Sequence, residues 1–518
     1  MRTRHLLVLL ALLALGAGLR FWGLWWGLPE RCDLHPDESQ YVIRHATEVS
    51  LARPDPGFLN YPSFMCYTVA ILRGALQAGF GWGQEIWQVY LIGRAMSALY
   101  GILTVPAAFL LALRLGARPA GALLSACWVA ILPLHVWDSH VAVTDIMMTF
   151  WLIMALWAAL GMLQAGRFKP GPCVAAGIFL GLATGSKYTA ALIAIGPLAA
   201  VVIGKWPWRD AIKGLAVVGV ISLAACFVVT PYSFIRFPDL LQAMAYENAH
   251  THGHHLGFSN PAAGPQYHNY LYQVAAAAPF SFGIALYCCA IAGMAWAMFR
   301  HSRADNVVLA FWIVFFGVVG SWSFTPLRYY LPMLVIGAVY AGVWQGEWMC
   351  CGGAAWRRRL ALAAVTLAAG YTLAFTVSTT RRFSNDTRTQ ADEWMRKNLG
   401  ANQKVHVFGW WHYMGFLDDG RDLRMLQHKE AYISTAESIP PSDLIEISSL
   451  HYLRWYRHHD RRYMAVYEAV RDPKGRFRCV TSFDAPYLNR DFYGRLDPMF
   501  RGYFISPTIE IYRHKERG

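Results

Sequence analysis

Leu34-His35-Pro36-Asp37-Glu38-Ser39-Gln40-Tyr41 follows directly on the first apolar run of the chain, residues 6–28. An acidic pair just past the end of a hydrophobic span places two carboxylates at the boundary between bilayer and water. In a partly dehydrated cleft such a carboxylate acts as a general base on a hydroxyl, or holds a metal or an ammonium group. The local pattern also has a structural reading: Asp37 with Gln40 three residues on, after Pro36, fits a helix-capping box. What lies around the segment decides which reading governs the fold.

Ten further apolar runs follow, near 89–113, 120–136, 146–163, 174–184, 190–204, 211–230, 274–298, 307–324, 330–344 and 360–377. The 518 residues are 56% hydrophobic and 15% charged, with 21 Trp. Soluble chains average about 25% charged residues, so this is an integral membrane protein. Its net charge of +14 does not mark a nucleic-acid surface. The basic residues fall at every second loop, at Arg2 and Arg4, Arg114 and Arg118, Arg167 and Lys169, Lys205 and Arg209, Arg300 and Arg303, and Arg357 to Arg359. That register predicts a cytoplasmic N-terminus, eleven spans and an exoplasmic C-terminal segment. Several runs fall short of the about 20 residues a span requires, so their ends are soft. The ten cysteines include no C-x-x-C pattern, and Cys127, Cys173, Cys226, Cys288 and Cys289 lie in or beside apolar runs as small packing residues. The first run has the basic start of a signal peptide, but Trp22, Trp25 and Trp26 at its outer end read as interface anchors of a retained span.

The outward-facing segments hold the unusual residues. The first carries Asp37-Glu38 and Asn60-Tyr61-Pro62-Ser63, and its stretches 41–49 and 63–77 read as interfacial helices. The second, His135-Val136-Trp137-Asp138-Ser139-His140, leads to Thr144-Asp145. The third runs from about 231 to 272 and contains His250, His252, His254, His255 and His268; the fourth carries Pro326-Leu327-Arg328-Tyr329-Tyr330. The inner loops are short and basic, so any chemistry faces outward. After Thr380 the chain turns polar, with a helix over 384–399 and strands near 404–408, 443–447, 478–482 and 508–512. This predicts two domains: a transmembrane domain, 1–380, and an exoplasmic α/β domain, 381–518.

Taken in order, Asp37-Glu38, Asn60-Tyr61-Pro62-Ser63, Arg94, Thr144-Asp145, Gly181-Leu182-Ala183-Thr184-Gly185-Ser186-Lys187-Tyr188 and Arg328-Tyr329-Tyr330-Leu331-Pro332 resemble the GT-C superfamily of membrane glycosyltransferases. Within it the chain is similar to bacterial lipid-carrier-dependent enzymes related to protein O-mannosyltransferases and aminoarabinose transferases. The resemblance covers about the first 380 residues. It implies an α-helical polytopic GT-C fold in a bacterial inner membrane, transferring a sugar from a polyprenyl-phosphate carrier to a lipid, glycan or protein acceptor outside, with inversion. In one respect the chain departs from the aminoarabinose transferases. Their first outer loop carries a Lys-Pro-Pro segment whose lysine helps bind the donor phosphate, and Tyr61-Pro62-Ser63 stands at the matching place. The sugar is therefore left open, and the phosphate-binding task passes to other cations.

The chemistry assigns roles. Breaking a glycosyl phosphate needs a base for the acceptor hydroxyl and cations for the departing phosphate. Asp37 is the expected base, with Glu38 tuning or orienting it and Asp145 the second outer acid; the structural reading of Asp145 is an N-cap. Lys187 and Arg328 are the expected phosphate partners, or else interfacial anchors. Tyr61, Tyr329, His254 and His255 complete the substrate-binding set. Arg94, inside an apolar run, needs a buried partner such as Glu38 or Asp145 and reads as support. No cofactor is required, although His252, His254 and His255 leave a divalent metal open. The alternative from another class is a transporter or lipid flippase with an exoplasmic cap, but the sequence shows no inverted repeat.

Overall fold

Ile86–Arg114 is a helix of 29 residues, and its sequence says why. Glu85 and Gln88 close its start as a capping box, the body is apolar throughout, and Arg114 stands in the last turn against the negative end of the helix dipole. In the computed structural model such helices dominate the chain, and residues 3–32, 34–253, 269–350, 355–399, 405–408, 413–415, 423–426, 444–458, 461–502 and 505–515 are described.

Among the described residues, six helices are long and apolar enough to cross a membrane: Thr3–Phe21, Ile86–Arg114, Thr144–Ala165, Trp208–Val229, Leu327–Met349 and Arg358–Asn398. Asn269–Phe282 and Ile284–Arg300, bent by 120°, make a seventh if they form one span. The count is lower than the eleven read from apolar runs, because some runs are broken and others, in Pro170–Ser186 and Arg303–Val319, form unbroken helices of only 17 residues. The run 120–136 splits at Pro133 into Pro119–Ala130 and Pro133–Asp138. The run 190–204 begins as a 3₁₀ turn, Tyr188–Ala194, before Ile195–Ile203 continues as α-helix. Gly283, at φ 71°, makes the bend in the run 274–298. Helix Phe64–Phe80 occupies the stretch expected to lie along the interface.

The chain divides into two compact units. The first comprises Met1–Leu24, Asp37–Gly253 and Ala277–Val377. In it Arg20, fully buried near the end of Thr3–Phe21, donates to the carbonyls of Ala130 at 3.0 Å and Val129 at 3.1 Å. A guanidinium in an apolar bundle needs such partners, and here they tie the first helix to Pro119–Ala130. Helix Pro170–Ser186 packs on Trp208–Val229 through Gly177, Gly181 and Gly185, spaced four apart on one face. A Cβ on Gly177 would stand 2.8 Å from the Val218 carbonyl oxygen, and one on Gly181 would collide with the Ser222 carbonyl oxygen. Small residues at this spacing let two helix backbones touch.

The second unit comprises Trp25–Pro36, His254–Ala276 and Ser378–Gly518. Its sheet contains β1 (Val405–Phe408), β2 (Leu423–Leu426), β3 (Leu444–Ser448), β4 (Phe477–Phe483) and β5 (Ile509–His514) in the order β2-β1-β3-β5-β4. β1 pairs in parallel with β2 and β3, whereas β5 runs antiparallel to β3 and β4. Strand alternation sends Ile445, Ile447 and Tyr512 into one apolar cluster with Tyr452, Trp455 and Val470, and Val405, Val407 and Ile511 into another with Ala391 and Met395. β2 was not among the strands expected from sequence, nor were helices Ser449–His458, Arg461–Arg471 and Arg490–Leu496. Segment 25–36 belongs to this unit by specific bonds: Trp26 Nε1 donates to Asp386 Oδ2 at 2.8 Å, and Arg31 donates to the Gly415 carbonyl at 2.8 Å.

The glycine contact generates a prediction. Gly181→Val should force the helices Pro170–Ser186 and Trp208–Val229 apart and lower thermal stability in detergent by several degrees or more, since the obstacle is backbone and cannot rotate away. Gly219→Ala, where a Cβ meets nothing within 4 Å, is the control that should leave the unfolding temperature unchanged.

Candidate active site

Glu38 opens the site, and it faces inward. It lies in the π-helical turn Glu38–Ile43, fully buried. Arg94 grips it with both arms, Nε to Oε1 and Nη2 to Oε2, each at 2.9 Å. The Ala142 amide adds a bond to Oε1 at 2.7 Å. Glu38, expected to tune or orient Asp37, and Arg94, read as support, are thus engaged with each other and have no exposed surface. Arg94 has found one of the two buried partners its apolar position demanded.

Asp37 precedes that turn at its N-cap position but makes no capping hydrogen bond. Its carboxylate pairs instead with Arg328 Nη2 and keeps 23% of its side-chain surface exposed. Arg328 stands in the short 3₁₀ helix Leu327–Tyr330, where Pro326 and the turn fix its backbone. Its Nε lies 3.4 Å from Asp145 Oδ2, so one guanidinium bridges both outer acids. Asp145 sits in the first turn of Thr144–Ala165, with Val143 rather than itself at the N-cap. Its other oxygen accepts from Lys187 Nζ at 2.7 Å. Lys187 is the extended residue between helix Pro170–Ser186 and the 3₁₀ turn that follows, two residues beyond the last glycine of the packing stripe. Its ammonium lies 3.8 Å from the centroid of the Tyr329 ring and 5.8 Å from that of Tyr61. The result is a chain of alternating charge, Asp37–Arg328–Asp145–Lys187, buried except at Asp37, whose formal charges cancel. Aromatic faces take the place of water around the ammonium.

Lys187, Tyr61 and Tyr329 line a cavity of about 420 Å³. Ala191, Leu192, Val318 and Trp322 give it an apolar wall, and Asn60, Glu247, Asn248 and Thr251 a polar one. Asn60 Nδ2 donates to Glu247 Oε1 at 2.8 Å. The Tyr188 hydroxyl donates to the Leu59 carbonyl at 3.0 Å, which holds this part of the first outer loop in place.

Two acids were not singled out from sequence. Glu247 projects from helix Phe237–His252, a polar-looking segment whose acid gives no local sign of function. Burial raises its carboxyl above the usual range. Asp138 ends helix Pro133–Asp138, and its Oδ2 is buried without a hydrogen-bond partner among the described residues. Burial pushes its carboxyl up to about 8, against the opposing pull of Arg328. Of the histidines, His252 is exposed, its Nδ1 2.8 Å from the Asn248 carbonyl oxygen. His254 and His255 lie outside the described residues.

Among the described residues the outer acids do not form a site for a bridging metal. Among the described residues no three His, Cys, Asp or Glu side chains converge on one point. The Arg328 guanidinium also stands between Asp37 and Asp145, where an ion shared by the two acids would sit.

Comparison with known proteins bears on the fold. The family described as dolichyl-phosphate-mannose-protein mannosyltransferase matches residues 83–243, the stretch that carries Arg94, Asp145 and Lys187. The oligosaccharyltransferase AglB of Archaeoglobus fulgidus, in complex with an inhibitory peptide and a dolichol-phosphate, superposes with a TM-score of 0.57 over 99% of this chain and 88% of its own, at 15% identity. ArnT of Cupriavidus metallidurans in the apo state gives 0.50 over 97% of both chains, at 14% identity. The chain has the GT-C fold. No curated protein matches it in sequence. A further structure of the Archaeoglobus enzyme, at a TM-score of 0.50, is a complex with Zn and sulfate.

The site yields two predictions. Arg94→Ala leaves Glu38 buried and unpaired, and should cost about 3–5 kcal/mol, read as loss of folded protein in detergent. The second concerns Asp138, whose carboxyl is held above its ordinary value in the folded state. The folded state therefore binds a proton that the unfolded state has released between about pH 4 and 8, and stability from this group falls as pH rises through that window. Asp138→Asn should remove that slope, so thermal unfolding of the variant should gain on wild type from pH 5 to pH 8. Parallel curves would place the proton elsewhere.

Proposed function

We propose that the chain is a glycosyltransferase that moves a sugar from a polyprenyl-phosphate carrier to an acceptor hydroxyl on the exoplasmic face of the membrane. The observation that carries the reading is the charge chain Asp37–Arg328–Asp145–Lys187 beside a cavity with one apolar and one polar wall. A polyprenyl phosphate is an anion on a hydrocarbon chain. Its phosphate would take Lys187 and Arg328, and its first isoprene units the wall of Leu192, Val318 and Trp322.

Each cation is held by an acid in this structure, so binding the phosphate is an exchange of partners. As Arg328 turns to the phosphate, Asp37 loses the positive neighbour that stabilises its anion and becomes a stronger base. Asp37 then accepts the proton of the acceptor hydroxyl while that oxygen attacks the anomeric carbon. The bond from that carbon to the phosphate oxygen breaks, and its electron pair leaves on the carrier phosphate. The leaving group gains negative charge in this step, and Lys187 and Arg328 stabilise it most when the bond is breaking. Asp145 positions both cations, and Glu38 with Arg94 positions Asp37. Attack opposite the leaving group inverts the anomeric centre. The archaeal relative's complex with a dolichol-phosphate supports a lipid-phosphate ligand for this fold.

Purified protein incubated with a panel of polyprenyl-phosphate sugars should release carrier phosphate from at least one. Asp37→Asn should then fold, bind donor and turn over roughly 100-fold more slowly, whereas a fully active variant would move the base elsewhere. Lys187→Ala and Arg328→Ala should weaken donor binding or single-turnover rate, and Arg328→Lys should recover only part, since it restores charge without the planar fork. Wild-type activity in both alanine variants, with loss of transfer on chelation, would replace the cationic side chains by a metal. The sidedness is tested on a cysteine-free background: single cysteines beside Asp37 and in 381–518 should label from outside, and cytoplasmic labelling of either would overturn the assignment.

A further inference from the structure

A second cavity, of about 480 Å³, shares the Asn60–Glu247 wall with the first and is used by nothing in the donor chemistry. One side is aromatic. Phe58 stacks on Tyr41 with ring centroids 5.5 Å apart and on His45 at 4.7 Å and 9° between planes. Its ring is therefore a fixed plate. The other side comes from helix Phe237–His252 and offers Asp239, Gln242 and Glu247. Arg236, at the entry of that helix, is held by Asp55 at 3.0 Å and Asp239 at 2.8 Å.

These walls have a common ligand chemistry. Rigid ring faces attract the C–H faces of a pyranose, while carboxylate, amide and guanidinium groups around them meet hydroxyls as donors and acceptors. Arg236 is shared by Asp239 and Asp55, and Glu247 adds a further carboxylate to the wall, so the cavity disfavours an anion. A neutral, hydroxyl-rich ligand fits it. Its position fits as well, because Asn60 and Glu247, joined by a side-chain hydrogen bond, line both this cavity and the donor cavity. A hydroxyl that opens this bond reaches the donor side. The helix that forms the rim exposes Phe237 and Leu241, an apolar edge suited to the interface where lipid-linked molecules travel.

We infer that this second cavity is the acceptor site and that the acceptor is a saccharide, either free or carried on a lipid. The inference rests on the transferase reading above and deepens it. The saccharide's hydroxyl becomes the oxygen of the new glycosidic bond, and its proton passes to the base.

The experiment separates acceptor recognition from donor cleavage. With the active donor fixed, carrier-phosphate release into water is measured without acceptor, and transfer of labelled sugar is measured with free oligosaccharides, lipid-linked saccharides and a Ser/Thr-rich peptide. Gln242 is exposed on the helix and Asp239 partly exposed; Gln242→Ala and Asp239→Asn should each raise the acceptor KM roughly tenfold and leave water-dependent release within about twofold. Phe58→Leu should act in the same direction. Label on either form of saccharide supports the site and tells the two sources apart. Label on the peptide alone, or an acceptor KM unchanged in both helix variants while donor cleavage persists, overturns the saccharide site and leaves the transferase standing. No carrier-phosphate release from any donor overturns both.

Discussion

A carboxylate and a guanidinium with no exposed surface, Glu38 and Arg94, set the geometry on which the outer site depends. Neither charge is tolerable alone in apolar surroundings, and the pair survives because both oxygens and both guanidinium arms are matched. The consequence reaches beyond the pair. Glu38 is pinned to the helix Ile86–Arg114 and, through the Ala142 amide, to the segment that enters Thr144–Ala165. Asp37 is the residue before Glu38, and Asp145 lies three residues after Ala142. One buried ion pair therefore fixes the separation of the two outer acids, which is the distance that Arg328 spans.

That span explains why the site can hold four charges within a small volume. Alternation along Asp37–Arg328–Asp145–Lys187 gives each charge an opposite neighbour, and the rings of Tyr61 and Tyr329 replace water around the Lys187 ammonium. Asp138, close enough to feel Arg328, Asp145 and Lys187, has its carboxyl pushed up by burial, which opposes a third negative charge there. The arrangement is balanced in the absence of an anion and becomes unbalanced when one binds. In the proposed reaction an entering phosphate would compete with the acids for the same cations, and the displaced acid would gain basicity, so that donor binding and activation of the base would be one electrostatic event.

The sequence revealed the charges that were costly and missed those that looked ordinary. Arg94 inside an apolar run demanded a buried partner, and Glu38 supplies it. Lys187 and Arg328 at span ends, beside Tyr329, were legible because cations and aromatics stand out against apolar helices. The competing readings of Asp37 and Asp145 as helix caps could be separated only by coordinates, since a cap and an ion pair share the same local pattern. Glu247 was hidden because an acid on the polar helix Phe237–His252 resembles any solvated residue; its burial comes from the distant segment around Asn60. The strand Leu423–Leu426 carries Arg424 among its four residues and lacks the apolar alternation that marks a strand. The helices Ser449–His458 and Arg461–Arg471 are rich in arginine and aromatic residues, so their amphipathicity shows only against the sheet. The apolar runs were read as spans, yet Pro133, Gly283 and the 3₁₀ turn at Tyr188 break three of them, because hydropathy records what a segment tolerates and not where its backbone turns.

The break at Tyr188 belongs to the site's design. Helix Pro170–Ser186 is held against its neighbour by glycines that allow no added atom, so its end is fixed to within the tolerance of backbone contact. Lys187 leaves that end in an extended conformation, φ −156°, and the chain resumes as a 3₁₀ turn. A lysine within a continuous helix would have its stem directed by the helical turn before it. At the break, the stem instead leaves the end of a rigid helix and brings its ammonium between Asp145 and the Tyr329 ring. A flexible side chain thus acquires a defined endpoint from a stiff support on one side and an aromatic face on the other. The same residue can release Asp145 for a phosphate without any movement of the helices that carry it.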